Sequence, residues 1–425
     1  MFVLEGFELT SISALWSRLR QQTFRSLSLR NYRLFFTGQV ISRAGMWVQI
    51  IAENWLVVQL GGSGLMLGIT TALQFAPLLL LSPYGGTLVD RWNTRTVLLV
   101  TQSASGILAL LVGLRALTGT IQIWMIWVAA CLLGCLNALD IPAREAFTIE
   151  LVGPDNVTNA VALNNVVRNA ARACGPALGG VLITSVGIEA CFLLNAASYA
   201  VVVAALRRMH PADLYTADAV PPRRGQIREG FRYVWKHPAL GTVLLIVAIA
   251  TTFGLNLQVM VTLYASHAFH QGAVFYGLLM SCLGIGAVAG SLMAASWKEP
   301  TRHCVATLSL TFGIANTAVA CAPDVPLALL AIGLMGMASS LFLTSSAGYV
   351  QLHAGEQMRG RVMALYTVAY LGTAPIGGPL VGWLAQCLGV RVGFLVVGLG
   401  CMAASSLVFL SPGERAGSTK LALPA

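Results

Sequence analysis

Gly175-Pro176-Ala177-Leu178-Gly179-Gly180-Val181-Leu182 and, 202 residues further on, Gly377-Gly378-Pro379-Leu380-Val381-Gly382-Trp383-Leu384 are two copies of one pattern. The same ungapped offset pairs Gly153 with Gly355, Ala162 with Ala364, Leu163 with Leu365 and Val166 with Val368. Beyond the motif it pairs Gly187, Phe192 and Leu193 with Gly389, Phe394 and Leu395. The chain is therefore built as two related halves. Apolar stretches long enough to cross a bilayer fall near 33–60, 64–86, 95–117, 121–144, 157–184, 187–207, 239–266, 272–297, 303–322, 325–351, 359–387 and 390–411. A shift of 202 residues moves by six of these twelve spans, an even number, so both halves face the same way. The expected fold is an all-α polytopic membrane protein of two six-helix bundles, related by an axis along the membrane normal with a substrate path between them.

Composition agrees. Of 425 residues 56% are hydrophobic and only 10% charged, against roughly a quarter charged in a soluble domain, and the mean hydropathy is +0.75. Met1 to Arg33 carries Glu5, Glu8 and five arginines without a continuous apolar core, so it reads as a retained segment and not a cleavable signal peptide. In it Leu9, Ile12, Leu15, Trp16 and Leu19 share a helical face, suited to a helix on the cytoplasmic membrane surface. The expected organisation is an amphipathic segment 1–32, a first bundle 33–207, a polar linker 208–238, a second bundle 239–411 and a tail 412–425.

A formal charge of +10 can signal nucleic acid, anionic lipid or topology, and position decides. With cytoplasmic termini, the lysines and arginines gather in the cytoplasmic loops, as the positive-inside rule requires. The exceptions are Arg115 and Arg391 outside and Arg43, Arg168 and Arg172 within spans. No nucleic-acid-binding motif accompanies them. The nine cysteines lack CxxC pairs or metal-ligand spacing and read as buried small hydrophobes. No metal or cofactor is expected, and a monomer in membrane lipid is.

Two motifs carry a resemblance. Between spans two and three stands Gly85-Gly86-Thr87-Leu88-Val89-Asp90-Arg91-Trp92-Asn93-Thr94-Arg95, which resembles the G-x-x-x-D-R-x-G-R-R loop of the major facilitator superfamily. Asn93 stands where that signature has glycine and Thr94 replaces a basic residue. Gly175-Pro176-x-x-Gly179-Gly180 looks like the G-P-x-x-G-G motif of the superfamily's antiporters: Pro176 kinks span five and the glycines admit a neighbouring helix. The runs Asn31-Tyr32-Arg33-Leu34-Phe35, Leu73-Gln74-Phe75-Ala76-Pro77, Asn137 to Arg144 and Asn159 to Asn164 resemble the enterobactin-exporter-like branch, also called transmembrane secretion effectors. The resemblance covers Leu29 to about Leu410 and implies a proton-coupled exporter of small amphipathic compounds, drug- or siderophore-like.

Ionisable residues inside spans are costly, hence functional candidates. Here Arg43 and Glu53 lie in span one and Arg168 and Arg172 in span five, four residues apart on one face. Glu53 is the expected proton carrier, tuned by Arg172 or Arg168. Gly86, Asp90, Arg91, Arg95, Asp140 and Arg144 are the expected cytoplasmic gate. No phosphate-binding loop or positioned nucleophile points to an enzyme. Proton-driven import of a nutrient, or a non-transporting scaffold or sensor, are the alternatives open at this point.

Overall fold

The computed structural model describes residues 23–89, 91–215, 226–254, 256–297 and 299–410. The amphipathic segment's Leu9 to Leu19, the tail from residue 412 and Asp90 lie outside the described residues. Twelve membrane-length passes emerge. In the first half these are spans one to six, Arg30–Gln59, Gly64–Val89, Thr94–Leu117, Ile123–Val152, Val157–Ser185 and Ile188–Arg208. In the second half they are span seven, Pro238–Gly254 continued by Leu257–Leu263 and a π-turn Tyr264–Ala268; span eight, Ala273–Ala295; span nine, Arg302–Cys321; and span ten, Val325–His353. Span eleven follows as Arg359–Leu371 continued by Ala374–Leu388, and span twelve as Val390–Leu410.

Among the described residues ten of these passes are long and apolar enough to cross a membrane. The two that miss that standard are spans one and five, the helices carrying Arg43, Glu53, Arg168 and Arg172. Their length is sufficient; their polarity is what sets them apart.

Packing obeys the repeat. Span two packs on four as eight packs on ten, three on six as nine on twelve, and one on five and six as seven on eleven and twelve. The bundles meet along two seams that the same operation exchanges, span five against eight and span eleven against two. Even the turns correspond: Gly187 and Gly389, partners in the repeat, both hold left-handed φ of 111° and 87°, where a side chain would be strained.

Within lipid, helices gain little by hiding apolar faces from one another, so close backbone approach must hold the seams. Glycine supplies it. A methyl at Gly180 would stand 2.5 Å from the Ala273 carbonyl oxygen, one at Gly277 2.5 Å from that of Pro176, and one at Gly284 2.5 Å from that of Arg172. Ser281 Oγ also accepts the Ala177 N–H at 2.9 Å across this seam. On the other seam Gly64 abuts Gly382 and Gly68 abuts Gly378.

An even number of passes puts both described chain ends on one face, here the terminal face. The close approaches begin at the opposite, far face, where Trp55 of span one stacks on Tyr276 of span eight at 6.1 Å between centroids. Toward the terminal face Asn165, Arg168 and Asn169 of span five are exposed instead. Such groups cannot face hydrocarbon at this depth, so they line an aqueous opening toward the terminal face.

The linker helix Gln226–Lys236 is fastened to span eleven through Arg361 and Glu229, 2.5 Å apart, and to the loop before it through Tyr233 Oη, which accepts the Gly355 N–H at 3.2 Å. The cysteines are less uniform than expected. Cys191 and Cys401 are buried, whereas Cys174, Cys321 and Cys387 are exposed, the last two at the far-face ends of spans nine and eleven.

Replacing Gly284 by Leu should wedge the seam at the Arg172 carbonyl and cost about 1–3 kcal/mol, read as a lower melting temperature in detergent with loss of transport. Gly272→Ala, where nothing stands within 4 Å, should change neither.

Candidate functional site

The polar residues of the first bundle fall into two groups along span one. Nearer the terminal face, Asp140 of span four accepts from Arg144 Nη2 at 2.5 Å and Nε at 3.1 Å through one oxygen. Its other oxygen accepts from Gln102 Nε2 at 2.5 Å and Thr101 Oγ1 at 2.9 Å, both from span three. Arg144 Nη1 donates to Gln39 Oε1 of span one. The i, i+4 spacing of Asp140 and Arg144 makes this ion pair local, and the amides and hydroxyl around it satisfy the remaining lone pairs, as a buried pair requires.

Beside it lies a cavity of about 190 Å³, walled by Phe35, Gln39 and Arg43 of span one, Ile141, Arg144, Glu145 and Thr148 of span four, and Asn164, Val167 and Arg168 of span five. Arg43 is within electrostatic reach of Arg144, Arg168 and Asp140.

Farther along span one, Gln49 Oε1 accepts from Asn195 Nδ2 at 2.6 Å, and Asn195 Oδ1 accepts from Ser198 Oγ at 2.9 Å. Gly45 is small for a reason: a methyl there would stand 2.5 Å from Asn195 Oδ1. One turn beyond Gln49, Glu53 faces a narrow crevice inside the first bundle with Leu108 and Val112 of span three, Ile126, Ala129 and Leu133 of span four, and Phe192 of span six. Among the described residues no basic group lies within 4 Å of its carboxylate.

The expected constellation is thus divided. Arg43, Arg144 and Arg168 share a cavity, and Asp140 joins them through Arg144. Glu53 stands apart, and neither Arg168 nor Arg172 pairs with it. Arg172, one turn from Arg168, instead faces Tyr370 of span eleven across the bundle boundary, and Tyr370 is the repeat partner of Arg168. All partners of Asp140 and Arg144 named here belong to the first bundle, so in this conformation the pair ties spans one, three and four together and does not bridge the bundles.

In the loop, Arg91 is exposed, while Arg95 caps the end of span six by donating to the carbonyls of Leu206 and Arg207 at 2.9 and 3.2 Å. Asn93 caps span three by accepting the Thr96 N–H at 3.1 Å, and Thr94 Oγ1 donates to Glu150 at 2.6 Å. The two departures from the superfamily signature therefore have work of their own. Gly175 meets the Trp47 side chain and Gly179 meets Ile51, both of span one, and Gly180 meets Ala273 of span eight. Pro176 and its neighbours thus sit where span five touches both its own bundle and the other; Gly86 belongs to the last turns of span two. Sequence reading passed over Gln39, Gln102, Thr101 and Glu150, whose signal is only that they are polar residues within or at the ends of apolar spans.

The family model described as transmembrane secretion effector matches residues 13–419. The multidrug efflux pump Tap of Mycobacterium tuberculosis is 25% identical over 90% of this chain and 93% of its own length. The enterobactin exporter of Citrobacter koseri is 24% identical over 93% and 96%, and the staphyloferrin A transporter of Staphylococcus aureus 24% over 86% and 92%. Among solved structures, a bacterial homologue of the human lysosomal transporter Spinster superposes with TM-score 0.71 at 14% identity over 91% of this chain and 96% of that one. The nucleoside transporter NupG does so at 0.71 and 12%, over 89% and 98%.

Asp140→Ala should strand the Arg144 guanidinium and cost about 3–5 kcal/mol, seen as a lower melting temperature in detergent. Removing both partners, Asp140→Ala with Arg144→Ala, should recover part of that loss, giving a coupling free energy in a double-mutant cycle.

Proposed function

The chain belongs to the transmembrane secretion effector family of major facilitator transporters, and from that premise we propose that it exports a small amphipathic compound in exchange for protons. It is a multi-pass secondary transporter of the cell membrane acting on small molecules, not an enzyme. The finer reading rests above all on Glu53, an acidic residue at membrane depth in an apolar crevice, without a basic partner among the described residues. A carboxylate so placed is stable when protonated and costly when charged, so it gains and loses a proton as water reaches it from one face and then the other. One turn from Glu53 toward the terminal face, Gln49, Asn195 and Ser198 form a hydrogen-bonded row.

Export as the direction is supported by the Gly175-Pro176-x-x-Gly179-Gly180 motif and by relatives described as an efflux pump and an exporter. The basic residues put both termini, and with them the open face, in the cytoplasm; this conformation then receives cargo from inside. The segments 33–207 and 239–411 act as the rocking bodies, joined by 208–238. Alternating access opens the far-face approaches and closes the terminal face, where Gly86, Asp90, Arg91 and Arg95 form the gate and Asp140 with Arg144 stiffens the bundle behind it. Arg172 meets Tyr370 on the path between the bundles. The protein works as a monomer surrounded by lipid.

Glu53→Gln should lower proton-driven dye efflux at least about tenfold while the protein stays folded in the membrane. The check is efflux from cells, with and without a protonophore, alongside the amount of protein inserted; unchanged proton-driven efflux in the variant would sink the assignment.

A further inference from the structure

The walls of the 190 Å³ cavity present donors where a cargo would sit. Gln39 is 4% exposed, and its Oε1 is taken by Arg144 Nη1. That contact fixes the amide's orientation, since a guanidinium can only donate. Gln39 Nε2 is left buried with no acceptor. A buried N–H left unmet is costly, so Gln39, a residue of the cavity wall, holds an unfilled half of a hydrogen bond.

Arg43 and Arg168 flank it. Among the described residues neither has a carboxylate within 4 Å, and they repel each other. Two acids stand nearby, and one of them, Glu145, belongs to the cavity wall. Asp140 is engaged by Arg144, Thr101 and Gln102, and Glu145 is exposed, one residue along span four from Arg144. The fold does not need charge here, because the repeat places Tyr370 at the position of Arg168.

We infer that the transported molecule carries an anionic, carboxylate-like group, held between Arg43 and Arg168 and accepting from Gln39 Nε2. The cavity is smaller than the roughly 300–1,000 Å³ of a drug-sized site, so it seats only the charged end of the cargo beside Arg43 and Arg168, with the adjoining carbons against Phe35, Ile141 and Val167. The rest of the cargo extends beyond the cavity along span five. This rests on the reading of the chain as a transporter of amphipathic compounds and narrows it to organic anions.

The test uses two dyes of one ring system and opposite charge, fluorescein and rhodamine 6G, with the full-length protein in phosphatidylcholine nanodiscs and fluorescence polarisation as readout. Fluorescein should bind about tenfold or more tightly than rhodamine. Arg43→Gln and Arg168→Gln should each weaken fluorescein about tenfold at unchanged melting temperature, and Gln39→Leu should weaken it less. Gly272→Ala, remote from the cavity, should leave binding intact; since binding needs no gradient, a failure of proton-coupled export leaves this result readable. Equal affinity for the two dyes, or wild-type fluorescein binding in both arginine variants, would overturn the inference. Displacement of fluorescein by phosphatidylglycerol in the nanodisc would overturn it too, by assigning the arginines to a lipid headgroup.

Discussion

Two backbones can approach closely in a membrane only where side chains are absent, and everything else in this molecule follows from where that happens. The bundles have no hydrophobic reason to adhere, since hydrocarbon solvates their outer faces as well as a partner would. They are held instead by Gly180, Gly277 and Gly284 on one seam and by Gly64, Gly68, Gly378 and Gly382 on the other. Contacts of this kind depend on shape and release no large area of apolar surface when broken. An interface that must open and close repeatedly is better made this way than by a greasy core.

The first bundle carries the opposite burden. Its interior is crossed by Gln39, Gln49, Gln102, Asp140, Arg144 and Asn195, several of them mutually satisfied, and such networks tend to specify a single arrangement of helices. The second half has no comparable charge cluster within its spans; its buried polar groups are hydroxyls and amides such as Thr251, Ser309 and Asn316. The two halves share a scaffold and divide the labour: one holds the charges, the other offers a neutral partner surface with Tyr370 facing Arg172.

Twelve spans, their order and the twofold repeat were legible because burial in lipid and helix length leave their mark on every residue of a span. The breaks in spans seven and eleven were not, since Thr373 or Asn256 in an apolar run looks no different from a polar residue inside an unbroken helix. For the site, spacing said truly that Arg168 and Arg172 lie one turn apart. It could not say what each would meet, because that depends on how span five is rotated against spans one and eleven. Arg168 turned to the cavity with Arg43, Arg172 to Tyr370, and Glu53 to neither.

The glycine seams also bear on how the molecule is made. Ser281 and Ala177 are 104 residues apart in the chain, whereas Gly64 and Gly382 are separated by about 320, a long-range pairing that can form only late. Synthesis proceeds from the N-terminus. Span two therefore enters the bilayer with its glycine-bearing edge bare and stays so until span eleven arrives. During that interval the growing chain presents the kind of narrow groove that other small-residue helices fit, so assembly is most exposed to wrong partners at the edge that will later carry its motion.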